Sequence, residues 1–190
     1  MKPSEARERL DLVDRIVSAS SREFCLGLAG PFFLIWGLFS GLVNLAFALA
    51  VHGLVPSESL WVCPALLAAA IVASALYGRY LEREKDRLTF LHREFLNVLW
   101  ITIGVTFVAM IGGYRLFPGI AAGALWSVAS SIVLFFIAFH GNRRALAGGI
   151  VLLASLVVAN FEPAVGGYVL AAGFFLGYAG FGVVEMVARD

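Results

Sequence analysis

Six stretches of this chain, each close to the thickness of a bilayer when helical, contain no Asp, Glu, Lys or Arg. They cover residues 24–55, 60–78, 95–114, 116–141, 145–161 and 163–184. A hydrocarbon core about 30 Å thick is crossed by roughly 20 helical residues, and lipid offers no partner to an unpaired backbone group. Each run is therefore expected to be a transmembrane helix. The first is longer than it needs to be and should tilt or protrude; the fifth is near the lower limit. Alternation with period two is absent, which argues against a membrane barrel. Composition agrees: 61% of the 190 residues are apolar and 14% charged, against about 25% charged in a soluble domain. So little charge cannot cover a globule of this size. An ordinary soluble enzyme, a disordered tail and a nucleic-acid binder with its basic face are excluded.

The basic residues orient the chain. Lys2, Arg7, Arg9, Arg15 and Arg22 precede the first run, and Arg79, Arg83, Lys85, Arg87 and Arg93 separate the second from the third. Arg143 and Arg144 separate the fourth from the fifth, Arg189 follows the sixth, and the opposite side holds Arg115 alone. By the positive-inside rule both termini are expected to be cytoplasmic. An odd number of spans would split these clusters across the membrane. The outer links, Pro56 to Ser59, a turn at Gly113-Tyr114-Arg115, and Asn160 to Pro163, are too short for anything but sequential antiparallel hairpins. The expected fold is thus all-α: a polytopic membrane protein with six transmembrane helices over 24–190, preceded by an amphipathic cytoplasmic or interfacial helix over 1–23.

In that first segment Ser4 is a helix cap, Leu10, Val13 and Val17 share one side, and Glu5/Arg9 and Asp11/Arg15 are paired at i,i+4 on the other. Such a helix either rests at the inner interface or docks on a partner. Residues 79–94 keep a helical pattern while carrying charge, and read as helix ends projecting into the cytoplasm. Ala48-Leu49-Ala50 has the small-x-small pattern of a signal cleavage site, but the apolar run before it is too long for a signal peptide, and the first span is expected to be retained. Arg-Glu-Phe occurs at 22–24 and again at 93–95, a short echo before two spans.

Chemistry is conspicuous by what the spans omit. Ionisable groups in a membrane mark pathways and relays, and none of the four strongly charged residue types falls within the six runs. Glu58 and Glu162 lie in outer turns and Glu185 at the inner end of the last span. Proton-coupled transport, voltage sensing and a carboxylate filter lose their usual carriers. His52 is placed near the outer side, His92 and His140 near the inner, with no ligand set of recognisable spacing, so no metal is expected. Cys25 and Cys63 begin spans on opposite faces, beyond the roughly 7 Å reach of a disulfide. Serines have no base at catalytic spacing and no Gly-x-Ser-x-Gly; no phosphate-binding glycine loop occurs. No catalytic residue and no cofactor is expected.

Polar residues at mid-membrane depth are the candidates for a cavity: Asn44, Thr102, Thr106, Ser127 and Ser131, with Ser40, Ser74, Ser130 and Ser155 nearby. They suit a small uncharged solute, or they tie helices together and bond their own i−4 carbonyls. Gly37/Gly41, Gly119/Gly123 and Gly173/Gly177 each form Gly-x-x-x-Gly, which clears one helix face for a neighbour's backbone. The neighbour is either another helix of the chain or a second copy in a homodimer. Trp61, Tyr80, Tyr114 and Tyr168 fit interfacial belts, whereas Trp36, Trp100 and Trp126 fall deeper. Phe174, Phe175, Tyr178 and Phe181 cluster on the last span and read as packing or lipid contact.

Three segments carry a resemblance: Ser4-Glu5-Ala6-Arg7-Glu8-Arg9-Leu10; Phe32-Phe33-Leu34-Ile35-Trp36-Gly37; and Asn142-Arg143-Arg144-Ala145-Leu146 with Gly166-Gly167-Tyr168 and Gly180-Phe181-Gly182. In layout the whole chain resembles a loose group of small six-helix bacterial inner-membrane proteins, without assigned activity and often encoded beside winged-helix regulators. The resemblance implies a bacterial inner (plasma) membrane and an operon partner. It carries no catalytic residue. The expectations are therefore a non-enzymatic protein in a lipid bilayer that works through a protein partner at its cytoplasmic face, in signalling or assembly, without nucleic acid. The alternative is a facilitator or substrate-binding subunit for a small uncharged solute.

Overall fold

The structure is a computed structural model and describes residues 10–13, 15, 30–83, 97–98, 101–106, 108–109 and 122–188. Every regular element among them is helical. Five helices carry the architecture: α1 Gly30–Val51, α2 Val62–Arg83, α3 Ala122–Phe139, α4 Arg143–Phe161 and α5 Gly166–Val187. Four of them (α1, α2 with its lead-in, α4 and α5) are long and apolar enough to cross a membrane, and α3 is a shorter apolar helix. The chain is an all-α polytopic membrane protein. Within the expected third span, residues 101–106 are helical. Residues 1–9, 84–94 and 116–121, which include the expected N-terminal cap, the cytoplasmic helix ends and the start of the fourth span, lie outside the described residues. Of the N-terminal helix, residues 10–13 are helical, with Leu10, Leu12 and Val13 exposed.

Local sequence accounts for the helix ends. Pro31 lies in the first turn of α1, where its missing N–H costs no helical bond. That helix stops at Gly53, whose φ of +67° only glycine adopts freely. The Gly53 amide donates to Ala50 O at 3.0 Å and the Leu54 amide to Leu49 O at 2.9 Å, the paired bonds of a Schellman cap. A 3-10 turn, Ser57–Trp61, leads into α2. A glycine also closes α3: Gly141 has φ +104°, and its amide donates to Ala138 O. The next residue, Asn142, accepts the Arg144 amide at 3.1 Å through its side chain and so begins α4 at once. Removing that acceptor by Asn142→Ala should cost about 0.5–2 kcal/mol, read as a lower unfolding midpoint of the detergent-solubilised protein; an unchanged midpoint would mean the cap is dispensable.

Among the described residues three of the expected neighbouring pairs are in contact, and a closure is added. α1 lies against α2, α3 against α4, and α4 against α5. The closure is between the first and last helices: α1 runs antiparallel to α5 along its length, with Gly30 near Gly182 and Met186, Gly37 on Ala179, and Ala48 on Gly167. α5 is thereby held between α1 and α4. Over half of its apolar window is buried (56%), against 6% for α2, which packs chiefly on α1. The centre of the core is Phe33, Leu134, Leu152 and Phe174, all fully enclosed, with Phe33 edge-on to Tyr178 and Phe181 at centroid distances of 4.9 and 5.0 Å.

Candidate functional site

Two kinds of residue sit between the helices: glycines, which bring backbones together, and small polar side chains. Gly37 and Gly41 turn toward α5, where an added Cβ would meet the backbone of Ala179 and the ring of Phe175. Gly182 returns the contact, with Gly30 O and Leu34 N both 2.6 Å from such a Cβ. On the other flank of α5, Gly173 faces the Ser155 hydroxyl and Gly177 faces Gly148 O of α4. Gly37, Gly41, Gly173 and Gly177 are thus occupied within the chain. Gly123 lies on the amide oxygen of Asn44, and Gly119 is outside the described residues.

Most of the mid-membrane polar groups satisfy their own helix. The Asn44 amide donates to Ser40 O at 2.8 Å, Thr106 to Thr102 O at 2.7 Å, Ser127 to Gly123 O at 2.8 Å, and Ser131 to Ser127 O at 2.8 Å. Ser155 likewise reaches Leu152 O, at 2.8 Å. These bonds withdraw the donors from any cavity, since a helical carbonyl one turn back is always within reach of a short side chain. Ser127 and Ser131 are buried as well as bonded. The two histidines follow the same rule: a ring nitrogen of His52 donates to Ala48 O at 2.8 Å and one of His140 to Phe136 O at 2.7 Å.

Two side-chain bonds among the described residues cross between helices from tryptophan donors. The Trp36 indole N–H donates to Ser74 Oγ of α2 at 3.0 Å, and that of Trp126 in α3 donates to Ser40 Oγ of α1 at 2.7 Å. The rings of Trp36 and Trp126 lie 5.9 Å apart, tilted by 45°. Sequence reasoning places these tryptophans only as deep. The overlooked signal is chemical: a buried indole N–H needs an acceptor, and serines on a facing span supply one.

Beside the tryptophan pair is a small cleft of about 20 Å³, lined by Phe32 and Trp36 of α1, Thr102 and Ile103, residues 126, 129, 130 and 133 of α3, and Tyr178 of α5. Of the five polar candidates only Thr102 lines it. Asn44 and Gly123 meet elsewhere along the α1–α3 contact, and Thr106, Ser127 and Ser131 do not face the cleft. Its walls are mostly aromatic and apolar, with Thr102, Ser130 and Tyr178 as the hydroxyl-bearing residues and no charged group.

Near the C-terminal end of α5, Glu185 is nearly enclosed (side chain 5% exposed) and faces Arg144 Nη1 at 3.8 Å across the start of α4. A long contact to a half-exposed guanidinium holds the helix ends in register more than it stabilises them. Cys63, at the start of α2, is a free thiol. No group of three His, Cys, Asp or Glu side chains among the described residues could hold a metal ion.

Compared with protein-family models, curated proteins and solved structures, the chain matches none.

Proposed function

We propose that this is a non-enzymatic protein of the bacterial inner membrane, with six spans and both termini cytoplasmic, that acts through a protein partner in signalling or assembly. The observation that supports the reading is that, among the described residues, the polar groups at mid-membrane depth are turned to their own helices and the cleft found between the helices is small. Thr106, Ser127 and Ser131 spend their hydroxyl donors, and Asn44 one of its two amide N–H groups, on their own helix backbones, and the cleft beside the tryptophan pair has room for about one water molecule. A solute path needs the opposite: donors left free around a continuous space. Charge supports the same reading from outside, because thirteen of the 14 basic residues fall on the side assigned to the cytoplasm, where a partner would meet them.

The test separates a partner from a solute. A photo-crosslinking amino acid at exposed Leu12 and at Arg79 in living cells should trap one discrete protein, whereas the same probe at Ser57, in the outer turn, should trap none. Purified protein in vesicles should leave glycerol and urea permeability at the level of empty vesicles. Permeability that rises with the protein and falls in Asn44→Leu would favour the facilitator reading and overturn this one.

A further inference from the structure

We propose that the cleft between α1, α3 and α5 is a binding site for a single water molecule, held between the hydroxyls of Ser130 and Tyr178, and that this water ties α3 to α5. The room is the first argument. At about 20 Å³ the cleft exceeds the 10–15 Å³ a water needs and is far below what any ring-sized ligand needs. The second is hydrogen bonding. Ser130 and Tyr178 are each 4% exposed, and among the described residues neither hydroxyl has a hydrogen-bond partner. No side-chain polar atom there is both sealed and unpaired, so these hydroxyls keep some accessible surface, and both residues line the cleft. The other donors in the wall are engaged, the Trp126 indole with Ser40 and the Trp36 indole with Ser74. A guest is therefore left with the hydroxyl-bearing residues of the lining, Ser130 and Tyr178, both buried, together with Thr102. Absence of charge in the wall excludes an ion, which would enter without compensation for its lost hydration.

Backbone geometry points to the same spot. Residues Phe174–Ala179 of α5 form a π turn, a rare geometry that recurs at functional sites in helices. Tyr178 belongs to that turn. α3 and α5 touch little directly, since α4 bridges them along their length. A water between Ser130 and Tyr178 supplies a direct, exchangeable link where the two helices share this cleft.

A structure of the whole protein at a resolution that shows ordered waters should have a density peak within hydrogen-bond distance of both Ser130 Oγ and Tyr178 Oη. A cleft that is empty, or that takes up xenon under pressure as a dry apolar cavity does, would overturn the proposal. A mutant cycle gives an independent reading. Tyr178→Phe and Ser130→Ala should each lower the unfolding midpoint, and the double variant should fall no further than the worse single one, because the water leaves with the first hydroxyl. Additive losses, or no loss in either single variant, would count against it.

Discussion

Replacing Gly37 by leucine should be among the most damaging single changes available in this protein. The side chain would enter the α1–α5 seam against the backbone of Ala179, which has no rotamer to change. Overpacking a well-filled core costs about 1–3 kcal/mol, and the figure rises when the obstructing atoms are main chain. The helices must then separate along a contact that also includes Gly41 on Phe175 and Gly182 on Leu34. Reversible unfolding in mixed micelles would measure it, with Gly78→Leu as control. Among the described residues nothing lies within 4 Å of the missing Cβ of Gly78, and leucine there gains helix propensity, by somewhat less than the roughly 0.8–1 kcal/mol that separates glycine from alanine. The expected result is a large loss at 37 and none at 78. Equal losses would mean that the damage comes from leucine in a membrane helix as such and not from the seam.

Phe33→Ala tests the core from the other direction. Phe33 is fully enclosed and stacks edge-on against Tyr178 and Phe181, so its removal opens a void where α1 meets α5. In a soluble core such a change costs about 3–5 kcal/mol, part of it the transfer of the ring from water. In a bilayer the separated helices expose the ring to lipid, which solvates it well, so the transfer part shrinks and the cavity and lost ring contacts remain. The loss should therefore be clear but smaller than the soluble figure. Phe139→Ala, at a residue 88% exposed, should leave the unfolding midpoint where it is. A Phe33→Ala protein as stable as the parent would show that α1 and α5 are held by their glycines alone.

Several features can be read directly from the residues because their cause is local. Runs of apolar residues between charges demand helices in lipid, and α1, α2, α4 and α5 lie within or beside the runs that predict them. In the structure Gly53 closes α1 inside the first run, which extends to residue 55, and His140-Gly141-Asn142-Arg143 is a stop followed by a restart. Glycine alone takes the positive φ freely, and asparagine caps the helix that begins after it. The candidate cavity is less legible. Asn44, Thr106, Ser127 and Ser131 are polar at the right depth, but depth does not say whether a hydroxyl turns outward or bonds the carbonyl one turn back. Their donors go to that carbonyl. In the sequence Tyr178 and Ser130 are an aromatic and a serine among others, and only the cleft sets them apart.

Sequence by itself determined that this chain is helical and that several of its helices are of membrane-crossing length, because those outcomes depend on composition and on interactions spanning four or five residues. Tertiary structure decided which helices meet. Gly37 and Gly173 carry the same motif, yet one opens α1 to α5 and the other opens α5 to α4. A cleared helix face offers close approach to any neighbour, and the choice among neighbours rests on shapes that come together only when α1 and α5, more than a hundred residues apart in the chain, lie side by side.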